Sequence, residues 1–168
     1  MAEIIKVFKD PIPAMRFIGK KYPGFGPWWG EWFRNGWFDT VEAAMGGTDA
    51  ILKIWENGAG YVGLERRAPD QPFEYWLGMF TPADTPIPEG FDCVDFAAGA
   101  LGTCFIRGTE GDVHKLTGAC RPALEEAGYT LYKDARGGVW SFENCLCPRY
   151  TTPDSEGRII LDYCYFVE

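Results

Sequence analysis

A single carboxylate interrupts an otherwise apolar and aromatic stretch near the end of the chain: Trp140-Ser141-Phe142-Glu143-Asn144-Cys145-Leu146-Cys147-Pro148. Because side chains alternate across a β-strand, an extended conformation places Trp140 and Phe142 on one face and Glu143 on the other. A carboxylate among small apolar neighbours is costly to bury without a partner. Glu143 therefore either reaches solvent at the surface of a sheet or meets a ligand that supplies positive charge or hydrogen bonds.

The composition around this stretch indicates one folded domain with an unusual number of aromatic residues. The chain has 168 residues, of which 46% are hydrophobic, enough for a sizeable core. Its seven Trp, eight Tyr and twelve Phe exceed what core filling normally requires, and aromatic faces favour flat or cationic ligands. The net charge of −8 argues against direct binding of nucleic acid, which needs clustered Lys and Arg.

The cysteines and the histidine point to no metal site and no common catalytic set. The six cysteines form no C-x-x-C motif, and with His114 as the single histidine we expect neither a metal nor a cofactor. His114 lies in a polar helical stretch, where we expect it to be solvated rather than to act as a base. No signal peptide and no run of ~18 apolar residues is present, so we expect a cytoplasmic protein with reduced thiols and no membrane partner.

The first half of the chain alternates strand and helix signals. The turn-prone Asp10-Pro11-Ile12-Pro13 separates two strands, and Asn35-Gly36 ends a helix that begins after Pro27. Three prolines in the segment 81–90 predict a crossing loop. The predicted elements are strands over 3–8 and 14–20, helices over 28–35, 37–44 and 48–55, and an antiparallel pair of strands over 61–67 and 73–80.

The second half repeats this order. An extended segment over 91–107 precedes a helical pattern from Val113 to Ala127, in which Pro122 forces a kink or a restart. Strands are predicted over 129–133, 139–147 and 158–167. The repeat predicts an α+β fold of two strand-helix-strand-strand units, over about 1–82 and 86–168, with helices on one side of an antiparallel sheet and a groove between the halves.

Several short groups of residues follow one another along almost the whole chain: Pro13-Ala14-Met15-Arg16, Phe73-Glu74-Tyr75-Trp76-Leu77-Gly78, Pro86-Ile87-Pro88-Glu89-Gly90 with Ala98-Gly99, Phe105 to Gly108, and Phe142-Glu143 with Pro148. In this order they resemble the GyrI-like small-molecule-binding domain, which is also the effector-binding domain of AraC- and MerR-type multidrug regulators. The resemblance implies a pseudo-twofold domain over residues 1–168, with a ligand cleft between its halves and no separate DNA-binding domain.

The resemblance also implies a ligand site. In that family a glutamate at the place of Glu143 commonly lies in the cleft and meets lipophilic cations beside aromatic walls. Cys145 departs from the pattern, because the family usually has Tyr there, so no hydroxyl is expected at that point of the pocket. The candidate wall residues are Tyr75, Trp76, Trp140, Tyr163 and Tyr165, with Trp28, Trp29 and Phe105 closing the mouth.

Three functions remain open at this stage. The chain is expected to hold lipophilic, cationic or planar aromatic compounds as a stand-alone binding protein, for xenobiotic binding or effector sensing. Some GyrI-like proteins instead hydrolyse strained, cyclopropane-bearing DNA alkylators, and Glu143 would then orient or deprotonate a water. A protein-protein regulator of the gyrase-inhibitor type is the third possibility. A role in transcription would act through another polypeptide.

Overall fold

Eight extended segments of the chain pair into one open sheet. The computed structural model describes residues 1–168. The strands are β1 (Glu3–Ile12), β2 (Met15–Tyr22), β3 (Tyr61–Arg67), β4 (Glu74–Pro82), β5 (Asp92–Phe96), β6 (Gly99–Gly108), β7 (Val139–Cys145) and β8 (Ile159–Val167). The helices are α1 (Trp28–Asn35), α2 (Trp37–Ala44), α3 (Asp49–Leu52), α4 (Glu110–Val113) and α5 (Cys120–Glu126), with a 3₁₀ segment at His114–Ala119.

The strand order shows an internal pseudo-twofold symmetry. The sheet runs β1-β6-β8-β7-β3-β4-β2-β5, and all neighbours are antiparallel. The strands β1 to β4 of the first half correspond in turn to β5 to β8 of the second. When each strand is replaced by its counterpart, the same order is read from the other edge of the sheet, so the pseudo-twofold axis passes between β3 and β7. The edge strand β1 pairs with β6 of the second half, and β5 pairs with β2 of the first. The predicted α+β fold of two like halves is confirmed.

The two faces of the sheet are covered differently. On one face, Phe80 and Phe142 belong to a core cluster of 15 buried residues, which also takes in Ile51 of the short helix α3. On the other face, α1 and α2 cover the first half and α4 and α5 cover the second, each over its own apolar cluster. The centre of this second face, above β3 and β7, lies between the two groups of helices.

The helices α1 and α2 begin and end where the sequence predicts. Trp32 is fully buried in the apolar cluster between α1 and the sheet. The helix α1 ends at Gly36, whose positive φ of 64° is a left-handed conformation that suits glycine. The helix α2 follows at once and turns a second aromatic side chain, Phe38, into the same cluster.

One predicted strand does not form, and one predicted helix is shorter than expected. Residues 129–133 form no strand, because they meet only the last residues of β8, beyond the last β7–β8 pair, through a single bridge between Leu131 and Val167. The helix predicted from Thr48 to Trp55 ends at Leu52, and the Thr48 side chain makes no capping hydrogen bond. Trp55 instead packs against Phe80 and Phe142 in the core cluster, on the face of the sheet that α1 and α2 do not cover.

The ring of Phe80 gives a direct test of this core. Phe80 is completely buried and contacts the rings of Phe17 and Phe142 at centroid distances of 5.4 and 5.0 Å. Phe80→Ala should lower the free energy of unfolding by about 3 to 5 kcal/mol, because it removes buried apolar surface and leaves a cavity. Urea denaturation at neutral pH measures this. Phe33→Ala, at a ring that is 61% exposed, is the matched control and should cost less than about 1 kcal/mol.

Candidate functional site

A large cavity opens between the two groups of helices, above the centre of the sheet. Its volume is about 1500 Å³, more than the ~300–1000 Å³ of a typical ligand pocket. The strands β3 and β7 form its floor, because their alternate residues point to this face. Helices α1 and α2 supply one wall, and α4 with the 3₁₀ segment supplies the other.

Two carboxylates stand on this floor, one from each central strand. In the β3–β7 ladder, Glu65 pairs with Ser141 and Glu143 pairs with Gly63, so the two glutamates are diagonal neighbours. Glu65 is 8% exposed, and the Glu143 side chain is 25% exposed. The alternation predicted for Glu143 is confirmed, and the structure adds a second carboxylate beside it.

Glu143 is held by a histidine that the sequence led us to place in solvent. His114 Nδ1 lies 3.0 Å from Glu143 Oε1, and its Nε2 lies 3.1 Å from the Tyr150 hydroxyl. The negative charge and hydrogen bond of Glu143 raise the pKa of His114 above its ordinary value, although partial burial opposes this. The expectation of a solvated His114 was wrong, because the 3₁₀ segment turns the imidazole towards the cavity.

Glu65 is held by two hydroxyl groups of the second half of the chain and by a neighbouring arginine. Its Oε2 accepts a hydrogen bond of 2.7 Å from the Tyr163 hydroxyl, and Ser141 Oγ lies 3.4 Å away. Arg67 Nη2 lies 3.7 Å from the other oxygen, Oε1. Burial raises the pKa of Glu65, and the hydrogen bond from Tyr163 and the charge of Arg67 oppose that rise.

The two tyrosines nearest the glutamates repeat the pseudo-twofold arrangement. In the ladders, Tyr75 pairs with Glu65 and Tyr163 pairs with Glu143. The Tyr163 ring leans across the axis, since its hydroxyl reaches Glu65, whereas the Tyr75 hydroxyl stays over Gly63 of the neighbouring strand β3, where a Cβ would be 2.8 Å away. The Tyr75 hydroxyl accepts a 3.0 Å hydrogen bond from Trp29 Nε1. Burial raises the pKa of both tyrosines, which keeps them neutral.

The charges around the cavity are strongly unbalanced. Arg67 is the sole Lys or Arg among its lining residues. The glutamates that line it are Glu42, Glu56, Glu65, Glu110 and Glu143. A cavity with aromatic walls and excess negative charge favours cations, which gain from both the carboxylates and the ring faces.

Five of the nine predicted site residues line the cavity: Glu143, Tyr75, Tyr163, Tyr165 and Trp29. The structure corrects the other four. Trp76 and Trp140 lie on the opposite face of the sheet, in the core cluster that contains Phe80. Trp28 stacks on Tyr22 at a centroid distance of 4.4 Å, and Phe105 meets Phe8 edge-on at 5.1 Å, so neither lines the cavity.

The residues that sequence reasoning missed had different signals. Glu65 has the same alternating pattern as Glu143, with polar or small residues at 61, 63, 65 and 67, so its position could have been found. Tyr150 follows β7 in an irregular segment, and no pattern points to it. Its hydroxyl faces the cavity near Cys145, the position where the resemblance implied a missing hydroxyl. Burial raises the pKa of the Cys145 thiol to about 12.

All six cysteines are free, and no group of three or more His, Cys, Asp or Glu side chains is placed to hold a metal ion. None of the helices combines the length and the apolar character that crossing a membrane would require.

Solved structures with the same fold were found by comparison. A protein named SAV2435, solved with bound tetraphenylphosphonium, has a TM-score of 0.67 at 13% identity, over 98% of this chain and 94% of that one. A Staphylococcus aureus MU50 protein named for bacterial transcription regulation has a TM-score of 0.62 at 12% identity, over 97% and 98%. A hydrolase from Listeria innocua has a TM-score of 0.53 at 10% identity, over 97% and 92%.

The chain has the GyrI-like fold. No protein-family model matches the sequence, and no curated protein matches it either. At these identities the likeness concerns the fold, so the resemblance drawn from the ordered motifs is confirmed at that level. The cavity occupies the groove between the halves that the repeated order of elements predicted.

The contact between Glu143 and His114 gives a test by NMR. Because His114 is the only histidine, its imidazole C–H resonance is unambiguous. Its pKa should lie above the ordinary ~6.5 and should fall in Glu143→Gln, since the variant removes the negative charge that favours the imidazolium. Glu110→Gln is the matched control and should lower the pKa less. An unchanged pKa in Glu143→Gln would show that the contact does not form in solution.

Proposed function

We propose that this protein binds lipophilic, cationic or planar aromatic compounds in the central cavity, with Glu143 as the residue that meets the positive charge. The observation that carries the proposal is the burial of this carboxylate together with its one free oxygen. Glu143 is three-quarters buried in an aromatic cavity, and its hydrogen bond to His114 engages Oε1 alone. The other oxygen is left to accept a contact from a ligand.

The walls of the cavity support a ligand of this class. Tyr75, Tyr163, Tyr165 and Trp29 line it, and the hydroxyls of Tyr75 and Tyr163 are engaged by Trp29 and Glu65. Their positions are therefore held before a ligand arrives, and the ring faces remain for contact with a delocalised cation. Apolar area of this kind selects loosely for shape, whereas the carboxylate selects for charge.

The structural likeness supports the same class of ligand. SAV2435, which has this fold, was solved with tetraphenylphosphonium, a lipophilic cation surrounded by four aromatic rings. Such a compound spreads its charge over a large apolar surface, so it loses little hydration energy on entering a cavity. The biological setting that we propose is xenobiotic binding or effector sensing, without direct contact to nucleic acid, because the net charge is −8.

Glu143→Gln should weaken tetraphenylphosphonium binding by about 1 to 3 kcal/mol, because the variant loses a charge-assisted contact and keeps the volume of the side chain. Neutral triphenylphosphine oxide should be affected much less. Isothermal titration calorimetry at neutral pH measures both affinities. Glu126→Gln, an exposed position outside the cavity, should leave both unchanged. Equal losses for the cation and the neutral compound would assign Glu143 a structural role.

A second function, hydrolysis of strained cyclopropane-bearing compounds, is favoured by one observation. His114 bridges Glu143 and Tyr150 inside the cavity, which makes a connected chain of groups that can move protons. Glu143 would take a proton from a water whose oxygen bonds to a ring carbon as a ring C–C bond breaks, and the electron pair of that bond would take up a proton from solvent, so that water adds across the bond. The likeness to a hydrolase from Listeria innocua at a TM-score of 0.53 concerns the fold and is compatible with this chemistry.

Hydrolysis and simple binding separate in a turnover assay with a cyclopropane-bearing DNA alkylator. If the protein is a hydrolase, Glu143→Gln should abolish turnover and leave the affinity for the substrate within about threefold, because the carboxylate acts on the water. Product formation is followed by chromatography, with Glu126→Gln as the control. Turnover by Glu143→Gln at the wild-type rate would remove Glu143 from the mechanism.

A further inference from the structure

We propose that the ligand of this cavity carries two cationic groups, and that Glu65 binds the second. This inference rests on the proposed function, in which Glu143 meets the first cation. It assigns a role to the more deeply buried carboxylate of the cavity floor. The ligand class is then an aromatic dication with a positive group at each end.

The hydrogen bonds of the two glutamates leave one oxygen of each unused. Both hydrogen bonds to Glu65, from Tyr163 and Ser141, reach Oε2. The remaining oxygen, Oε1, has the Arg67 guanidinium at 3.7 Å, which is too far for a hydrogen bond. Glu143 likewise uses only Oε1, towards His114. Each carboxylate therefore has an oxygen available for a cation, although Glu65 is more than nine-tenths buried.

The register of the sheet makes the two carboxylates equivalent. Glu65 pairs with Tyr75 on β4, and Glu143 pairs with Tyr163 on β8, the strand that corresponds to β4. Because β3 and β7 flank the pseudo-twofold axis, one glutamate and one tyrosine stand on each side of it. A ligand with two similar ends matches a site with two similar halves.

The dimensions of the site accommodate such a ligand. Diagonal neighbours on adjacent antiparallel strands are about 7–8 Å apart at the backbone, so each glutamate can present its free oxygen to a different end of one ligand. The cavity volume of about 1500 Å³ exceeds the needs of a compact drug-sized ligand. A ligand with an aromatic spacer between two cationic groups has room in this cavity beside the tyrosine rings.

Arg67 supplies the internal positive charge that the second cation would replace. Its side chain is 62% exposed and packs on the Phe73 ring at 4.3 Å, so it can move without opening the core. It faces Glu65, whereas no Lys or Arg is within salt-bridge distance of Glu143. A ligand cation at Glu65 therefore competes with Arg67, and removal of the Arg67 charge should favour it.

The test compares three probes by isothermal titration calorimetry at neutral pH and low salt. They are tetraphenylphosphonium, a para,para-substituted biphenyl bis-amidine, and the same biphenyl with one amidine replaced by a neutral carboxamide. Wild-type protein should bind the bis-amidine at least about tenfold more tightly than the carboxamide analogue, the effect of one further charge-assisted contact. The analogue matches the bis-amidine in size and shape, so the ratio reports the second charge.

Three variants show which residue of the cavity binds the second cationic group. Glu65→Gln should reduce the preference for the bis-amidine to less than about threefold and change tetraphenylphosphonium affinity by less than about threefold. Arg67→Gln should increase the preference, and its exposed position keeps the test valid if Glu65→Gln fails to fold by circular dichroism. Glu126→Gln should change none of the three affinities.

The outcomes separate this inference from the proposed function. No preference for the bis-amidine in the wild type, or a preference that Glu65→Gln and Arg67→Gln leave unaltered, would overturn the assignment of Glu65. In that case the proposed function still holds if the wild type binds tetraphenylphosphonium and Glu143→Gln lowers the affinity for it. Failure of all three probes to bind the wild type would overturn both.

Discussion

The pairing of β3 with β7 is the constraint on which the core and the cavity both depend. Seven residue pairs, from Tyr61 with Cys145 to Arg67 with Val139, join the halves along the pseudo-twofold axis. Because side chains alternate, a shift of one strand by a single residue would turn Glu143 into the core and Phe142 towards the cavity. The apolar packing of one face thus specifies where the carboxylates stand on the other.

The large number of aromatic residues is divided between these two faces. Phe80 and Phe142 pack with other rings on the face that carries only the short helix α3, where their contacts contribute to stability. On the other side, Tyr75 and Tyr163 keep their hydroxyls engaged and present their rings to a cavity. Composition alone indicates a surplus of aromatic area, and the register of the strands decides which rings form core and which form wall.

Much of the fold was predictable because local signals and the sheet agree. The helices α1 and α2 have turn signals at their ends, and the repeated order of elements predicted two halves with a groove. For the site, the alternation around Glu143 was sufficient to place it. The same rule excludes Trp140, three residues away and so on the opposite face, but the aromatic character of that residue led to its selection as a wall.

The parts of the site that could not be predicted depend on contacts between distant segments. His114 meets Glu143 across 29 residues, and Tyr163 meets Glu65 across 98 residues. Neither contact leaves a local pattern, because it follows from how the 3₁₀ segment and β8 lie over the central strands. A polar residue in a helical stretch is usually solvated, so the sequence predicts a solvated His114, whereas the 3₁₀ segment brings its imidazole to Glu143.

The internal partners of the two carboxylates also shape what a ligand can gain. Burial of Glu65 without partners would cost several kcal/mol, on the order expected for an uncompensated charge, and Tyr163 and Arg67 reduce that cost. His114 does the same for Glu143, more fully when the imidazole is protonated. A cationic ligand must therefore compete with charges already present. The site gains selectivity for cations over neutral compounds, while part of the affinity of bare carboxylates is lost.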